Sequence, residues 1–222
     1  MPQVPPATEN DTQAFCDQCQ WVYECWLTHS HVFECLPARL QEERNVPVGE
    51  FVETSVGRCL GRLNEISQQY SILQVAKLHD PAQQGANENL SIDFFVRQNF
   101  WSKDEKSAIA GIATELDVLY RKILDARNKI LAHNDRSAFL NDIPLGSFQE
   151  GEDEIYFGAL GRLCSIIWNK FPNRSWPYGN RVFDFTKSGL EGDPLCASTD
   201  SKELGNLIVA AFPKTADDTK PT

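Results

Sequence analysis

Apolar residues recur at three- and four-residue steps through four long stretches of this chain, and no other feature restricts its fold so tightly. Steps averaging 3.6 line residues up on one side of a helix, so each stretch has one face to bury and one to wet. The clearest stretch runs from Ser102 to His133. Ile109, Ile112, Leu116, Leu119, Tyr120, Ile123, Leu124, Ile130 and Leu131 keep the period there, and Gly111 is its one weak point. Ser102-Lys103-Asp104-Glu105 supplies a capping box, in which the hydroxyl and the carboxylate each satisfy an orphan amide of the first turn.

Three further helices follow from the same period. Thr12 to Leu40 sets Phe15, Cys19, Val22, Trp26, Phe33 and Leu40 on one line, with Pro37 a breaker near its end. Gly49 to Leu78 does so with Phe51, Val52, Val56, Leu60, Leu63, Ile66, Tyr70, Leu73 and Leu78, and closes at Asp80-Pro81. Asp153 to Lys170 carries acids in its first turn, where the macrodipole favours them. Pro81 to Asn89 and Asn141 to Gly151 have loop composition, and Ser91 caps a short helix through Phe100 that buries Ile92, Phe95, Val96 and Phe100. After Phe171-Pro172 the pattern decays, leaving a short extended piece at Arg181 to Phe185 and a helix at Lys202 to Phe212.

Helices with one apolar stripe each are best buried together. The expected fold is all-α: an up-and-down helical bundle over residues 12–172, a disordered lead-in over 1–11 and an irregular C-terminal extension over 173–222. There are no internal repeats and no heptads long enough for a coiled coil.

A net charge of −10 makes the surface as a whole repel polyanions, so a nucleic-acid site has to be a local basic patch. One exists. Between Arg121 and Arg136, Arg121, Lys122, Arg127, Lys129 and Arg136 stand against Asp125 and Asp135, a surplus of three positive charges. Arg121, Asp125, Lys129 and His133 lie four apart and share one polar stripe. Arg127 instead lies near the apolar line of Tyr120, Leu124 and Leu131, where a guanidinium needs an anionic partner or a ligand. The simpler reading is an ion pair with a neighbouring helix. His133 is six residues on, about 120° around the helix and about 9 Å along it. A site using both residues is an open groove, and a two-fold dimer would bring two copies of each together.

Arg127-Asn128-Lys129 with Ala132-His133-Asn134-Asp135 resembles the signature of the HEPN (higher eukaryote and prokaryote nucleotide-binding) superfamily, an Arg followed by a polar residue and then a His after a gap of four to six. Leu78-His79-Asp80-Pro81 and Asn89-Leu90-Ser91-Ile92 resemble its abortive-infection (Abi) subfamily, with the similarity spanning roughly Phe51 to Lys170. The resemblance implies a helical bundle that dimerises through its motif helices and, in active members, cleaves RNA without metal. On that reading His133 moves protons, Arg127 stabilises the phosphorane, Asn128 orients either the histidine or the phosphate, and Arg121, Lys122, Lys129 and Arg136 hold RNA. No metal or cofactor is implied; RNA, a second copy of the chain and a cognate antitoxin or defence partner are. Family members paired with a nucleotidyltransferase carry a Tyr two positions after the His, and Asp135 stands there in this chain, which removes support for that kind of partner.

Two rival readings remain open: a non-catalytic RNA- or nucleotide-binding HEPN domain, and a dimeric helical protein whose motif residues only fix an interface. Seven cysteines at irregular spacing favour reduced thiols and the cytoplasm. Cys16 and Cys19 have zinc-ligand spacing, with His29 and His31 nearby, but they also suit a helix core. Glu150, Glu152, Asp153 and Glu154 suit a helix N-terminus better than a cation site. Arg174, Trp176, Tyr178, Arg181, Phe183 and Phe185 interleave aromatics and arginines, which more often pack onto a bundle than stack on bases. No apolar run reaches the roughly 18 residues of a membrane span.

Overall fold

The computed structural model describes residues 4–126, 128, 149, 151–171, 183, 185 and 197–212. Its elements are α1 (Glu9–Thr28), a π-helical stretch (His29–Glu34), α2 (Leu36–Arg44), α3 (Val48–Glu53), α4 (Ser55–Leu78), β1 (Gln83–Gln84), β2 (Asn87–Glu88), α5 (Ile92–Val96), α6 (Lys103–Ala126), α7 (Glu152–Asn169) and α8 (Ala197–Ala210). The fold is all-α. Its one sheet among the described residues is the antiparallel pair Gln83↔Glu88 and Gln84↔Asn87, turned at Gly85 with φ of 64°.

The chain divides into two compact units, Met1–Tyr23 with Ile72–Gly189 and Glu24–Ser71 with Leu190–Thr222. The division falls within α1 and α4.

In the first unit α6 packs along α7 and against α5. The stripe expected on α6, Ile109, Ile112, Leu116, Leu119 and Ile123, is buried, and so are Phe157, Leu160, Leu163 and Ile167 of α7. The start of α1 joins them, with Phe15 against Phe95 at 4.7 Å. Cys16 and Cys19 are fully buried, and no group of His, Cys, Asp or Glu able to hold a metal occurs among the described residues.

The start of α6 and the start of α1 are set by local chemistry. The expected capping box forms: Ser102 N donates to Glu105 Oε2 at 2.7 Å and Glu105 N to Ser102 Oγ at 3.3 Å. Lys170, at the end of α7, donates to the same carboxylate at 2.9 Å and lies over the rings of Phe100 and Trp101 at 5.8 and 5.4 Å. Lys170 first, then the Ser102 amide, holds the Glu105 carboxyl down to about 2. Regular structure begins before residue 12, because Thr8 and Asp11 form a second box: Thr8 N donates to Asp11 Oδ2 at 2.8 Å and Asp11 N to Thr8 Oγ1 at 3.2 Å. Ahead of it, Ala7 N donates to Gln98 Oε1 and Gln98 Nε2 to Pro5 O, so residues 5–7 are strapped down.

The second unit departs most from the sequence expectations. The helix expected over Thr12 to Leu40 gives way to π-helical turns at His29. A new helix then starts at Leu36, with Pro37 in its first turn, where the missing N–H costs nothing. The helix expected from Gly49 breaks at Thr54, which is extended and whose Oγ1 accepts from Gly57 N at 2.9 Å. A Cβ on Gly57 would lie 1.9 Å from Phe51 O, so the break requires glycine there. Leu36, Leu40, Phe51 and Val209 make the core of this unit. Val209 belongs to α8, which packs on α2 and the π-helical stretch, so part of the stretch expected as an irregular extension supplies core. Arg44 Nε donates to Val209 O at 3.0 Å and Arg39 Nη2 to Asn206 Oδ1 at 2.8 Å.

Candidate functional site

The candidate site begins where α6 ends. Arg121, Lys122 and Asn128 are described; Arg127, Lys129, His133 and Arg136 lie outside the described residues. Arg121 is exposed on the outer face, 3.3 Å from Asp117 one turn back. Lys122 is half-buried and pairs with Glu152 in the first turn of α7, whose carboxylate also accepts from Gln149 N at 2.6 Å. Lys122 and then the Gln149 amide lower the Glu152 carboxyl. The expected RNA contact at Lys122 is therefore committed to a bond between helices, and its acidic partner comes from the cluster read as a helix N-terminus. Asn128 is helical and half-buried.

Beneath these turns lies a cluster that composition and spacing did not single out. His79 follows α4, and its ring stacks on Tyr120 with centroids 4.2 Å apart and planes 4° apart. Its Nε2 lies 3.0 Å from the hydroxyl of Tyr156, a fully buried side chain of α7. Its Nδ1 is 3.7 Å from Asp117 Oδ1. Burial pushes the imidazole down to about 4, with Asp117 pulling the other way, and burial raises the Tyr156 phenol well above its ordinary value. Near neutral pH both are uncharged. The tautomer aiming Nδ1–H at the carboxylate leaves Nε2 to accept from the Tyr156 hydroxyl. Such an arrangement holds α6 in place and keeps His79 from serving as a proton shuttle near neutrality.

His79 and Asp117 also edge a depression of about 230 Å³ with Ile92, Asp93, Val96, Ala113 and Thr114. Asp93 is spoken for, accepting from Ala82 N at 2.9 Å and pairing with Arg97 at 2.8 Å. Of the aromatic tail residues, Phe183 and Phe185 are described, and both are buried, against Trp168 and Tyr23. They pack onto helices. Arg174, Trp176, Tyr178 and Arg181 lie outside the described residues.

The family model HEPN_AbiU2, described as AbiU2, matches residues 8–181, more than three quarters of the chain. The chain belongs to the AbiU2 family of HEPN proteins. The match takes in α1, α6, α7 and the whole Arg127 to His133 segment, and extends some forty residues before Phe51, where the sequence resemblance began. The function class that goes with AbiU2 membership is HEPN-type abortive infection, which puts the chain in a defence context. No curated protein and no solved structure matches the chain. No helix among the described residues is long and apolar enough to cross a membrane.

Proposed function

We propose that this AbiU2 protein is a metal-independent endoribonuclease acting in abortive infection, with Arg127 and His133 contributed by both subunits of a homodimer to one open groove. What supports the reading is the sequence motif Arg127-Asn128 and His133, at HEPN spacing and just past the described end of α6, in a chain of this family. The residue types suit the chemistry. His133 takes the proton of a ribose 2′-hydroxyl; the 2′-oxygen attacks phosphorus, the bond from phosphorus to the 5′-oxygen breaks, and an imidazolium returns a proton to that oxygen. The Arg127 guanidinium grips two phosphate oxygens and offsets the charge that builds on them. Asn128 orients the phosphate or the histidine, and Arg121, Lys129 and Arg136 hold flanking phosphates.

Incubation of the purified protein with RNA in excess chelator tests this reading. Cleavage leaving 2′,3′-cyclic phosphate and 5′-hydroxyl ends supports it; no cleavage of any RNA, with or without divalent metal, overturns it. The net charge of −10, with Lys122 engaged by Glu152, favours a second reading, a non-catalytic RNA-binding domain. That reading expects binding that depends on Arg127, with no turnover.

A further inference from the structure

One edge of the His79 imidazole is left unused. Tyr120 covers a face of the ring at 4.2 Å and the Tyr156 hydroxyl engages Nε2 at 3.0 Å, so the side chain is only 5% exposed. Its Nδ1 makes no hydrogen bond among the described residues, since Asp117 Oδ1, at 3.7 Å, is too far away for one. Both side chains line the depression of about 230 Å³, whose apolar walls are Ile92 and Val96 of α5 and Ala113 of α6. Apolar walls around a few convergent polar groups are the usual makeup of a ligand site, and this space suits one small planar group better than a drug-sized molecule. The carboxylates of Asp93 and Asp117 both line it, which shuts out an anion.

We propose that this depression receives one base of a bound RNA, held by an edge on which a donor and an acceptor stand side by side, and that it prefers bases carrying an amino group. The spacing selects such an edge. Two polar atoms flanking one ring carbon are about 2.3 Å apart, from bonds of about 1.33 Å at about 120°. Set against partners 3.7 Å apart, each hydrogen bond of about 2.9 Å leans outward by only about 14°. A single atom bonded to both partners would subtend about 80°, well under the tetrahedral angle that water or an ammonium prefers. With the Tyr156 hydroxyl donating to Nε2, Nδ1–H donates to the base and Asp117 Oδ1 accepts from it. The remaining polar groups of the lining are acceptors: Asp93, whose carboxylate takes the Ala82 amide and Arg97, and Thr114, whose hydroxyl hydrogen goes to Ala110 O at 3.0 Å. A second amino hydrogen suits them, whereas uracil would turn a carbonyl toward them. Arg121 chooses RNA over a glutamine or asparagine side chain with the same edge. It lies one turn beyond Asp117, on the side of Arg127, and is 77% exposed, within reach of a phosphate next to the base. The role of the depression rests on RNA being the ligand, as proposed above, and not on cleavage.

Nuclear magnetic resonance of the full chain with isotopically labelled histidine is the test, with adenosine, cytidine, uridine and propionamide as probes, none of which carries a phosphodiester to cleave. Adenosine and cytidine are expected to shift the His79 Nδ1 signal saturably, with uridine and propionamide weaker by at least about tenfold. Thr114→Phe, at an exposed position, fills the depression from its rim, and Asp117→Ala removes the acceptor. Each should weaken adenosine binding at least about tenfold, with circular dichroism checking that the fold is kept. The proposal is overturned if no nucleoside moves His79, if uridine or propionamide binds as tightly as adenosine, or if Thr114→Phe binds like wild type. Adenosine binding by a chain that cleaves no RNA would sink the nuclease and keep the pocket, and cleavage without nucleoside binding would do the reverse.

Discussion

The imidazole of His79 lies flat on the phenol of Tyr120, ring centres 4.2 Å apart, while its Nε2 meets the Tyr156 hydroxyl at 3.0 Å. One side chain thus joins the chain just after α4 to both α6 and α7, between one and two turns before α6 ends at Ala126. Near neutral pH the His79 and Tyr156 rings of this support are both uncharged.

That support is sensitive to acid. Folding holds His79 near 4, against about 6.5 when exposed, so between those values the unfolded chain binds a proton that the folded chain refuses. The contribution is complete above about pH 6.5 and falls as the pH drops toward 4, by up to about 1.4 kcal/mol per pH unit. His79→Phe keeps a ring on Tyr120 and removes the titration. Denaturant midpoints across this range should fall less steeply for the variant than for wild type. At neutral pH it should be less stable by about 1–3 kcal/mol, because the Tyr156 hydroxyl loses its partner. Parallel pH curves would count against the assignment.

Gly161 sits where α7 meets the chain at Phe183, and a Cβ there would lie 2.5 Å from Phe183 O. Gly161→Ala should cost about 1–3 kcal/mol, since backbone must shift to admit it. Gly111, in the middle of α6, has nothing within 4 Å of its would-be Cβ. Gly111→Ala should instead stabilise by about 0.5–1 kcal/mol. Thermal melts of the two variants should move in opposite directions; a neutral Gly161→Ala would mean that the Phe183 segment does not pack there.

Arg121 and Lys122 are neighbours with separate duties. Arg121→Ala should leave the melting temperature nearly unchanged, since its pair with Asp117 is exposed, and should lower the salt slope of RNA binding by about one ion. Lys122→Ala breaks the bond to Glu152 and should cost about 1 kcal/mol of stability at an unchanged salt slope. Fluorescence anisotropy across a salt series, beside melts, separates the two; equal salt effects would return Lys122 to the RNA surface.

The helices of the first unit could be read from sequence because period and caps agreed. Ser102 with Glu105 opened α6, and Ile109 through Ile123 faced inward as the spacing required. In the second unit period misled. Val56, Leu63, Ile66 and Tyr70 keep helical spacing, but spacing says only that residues share a face, not that the face is covered. In the sequence Pro37 reads as a stop, because position in a helix is not written in the residue; at the first turn the same ring is tolerated. In the sequence His79 stands out only as part of a family-like string, since its partners Tyr120 and Tyr156 are far away in sequence. An isolated histidine at the end of an apolar helix is the one signal that could have drawn attention to it.

Cleavage of RNA in the presence of chelator, compared between wild type and His133→Ala at matched stability, tests the central claim most directly. Wild type should cleave, and His133→Ala should be slower by at least about a hundredfold, the usual worth of a positioned general acid–base, while still binding RNA. Equal cleavage by the two proteins would contradict the proposed site.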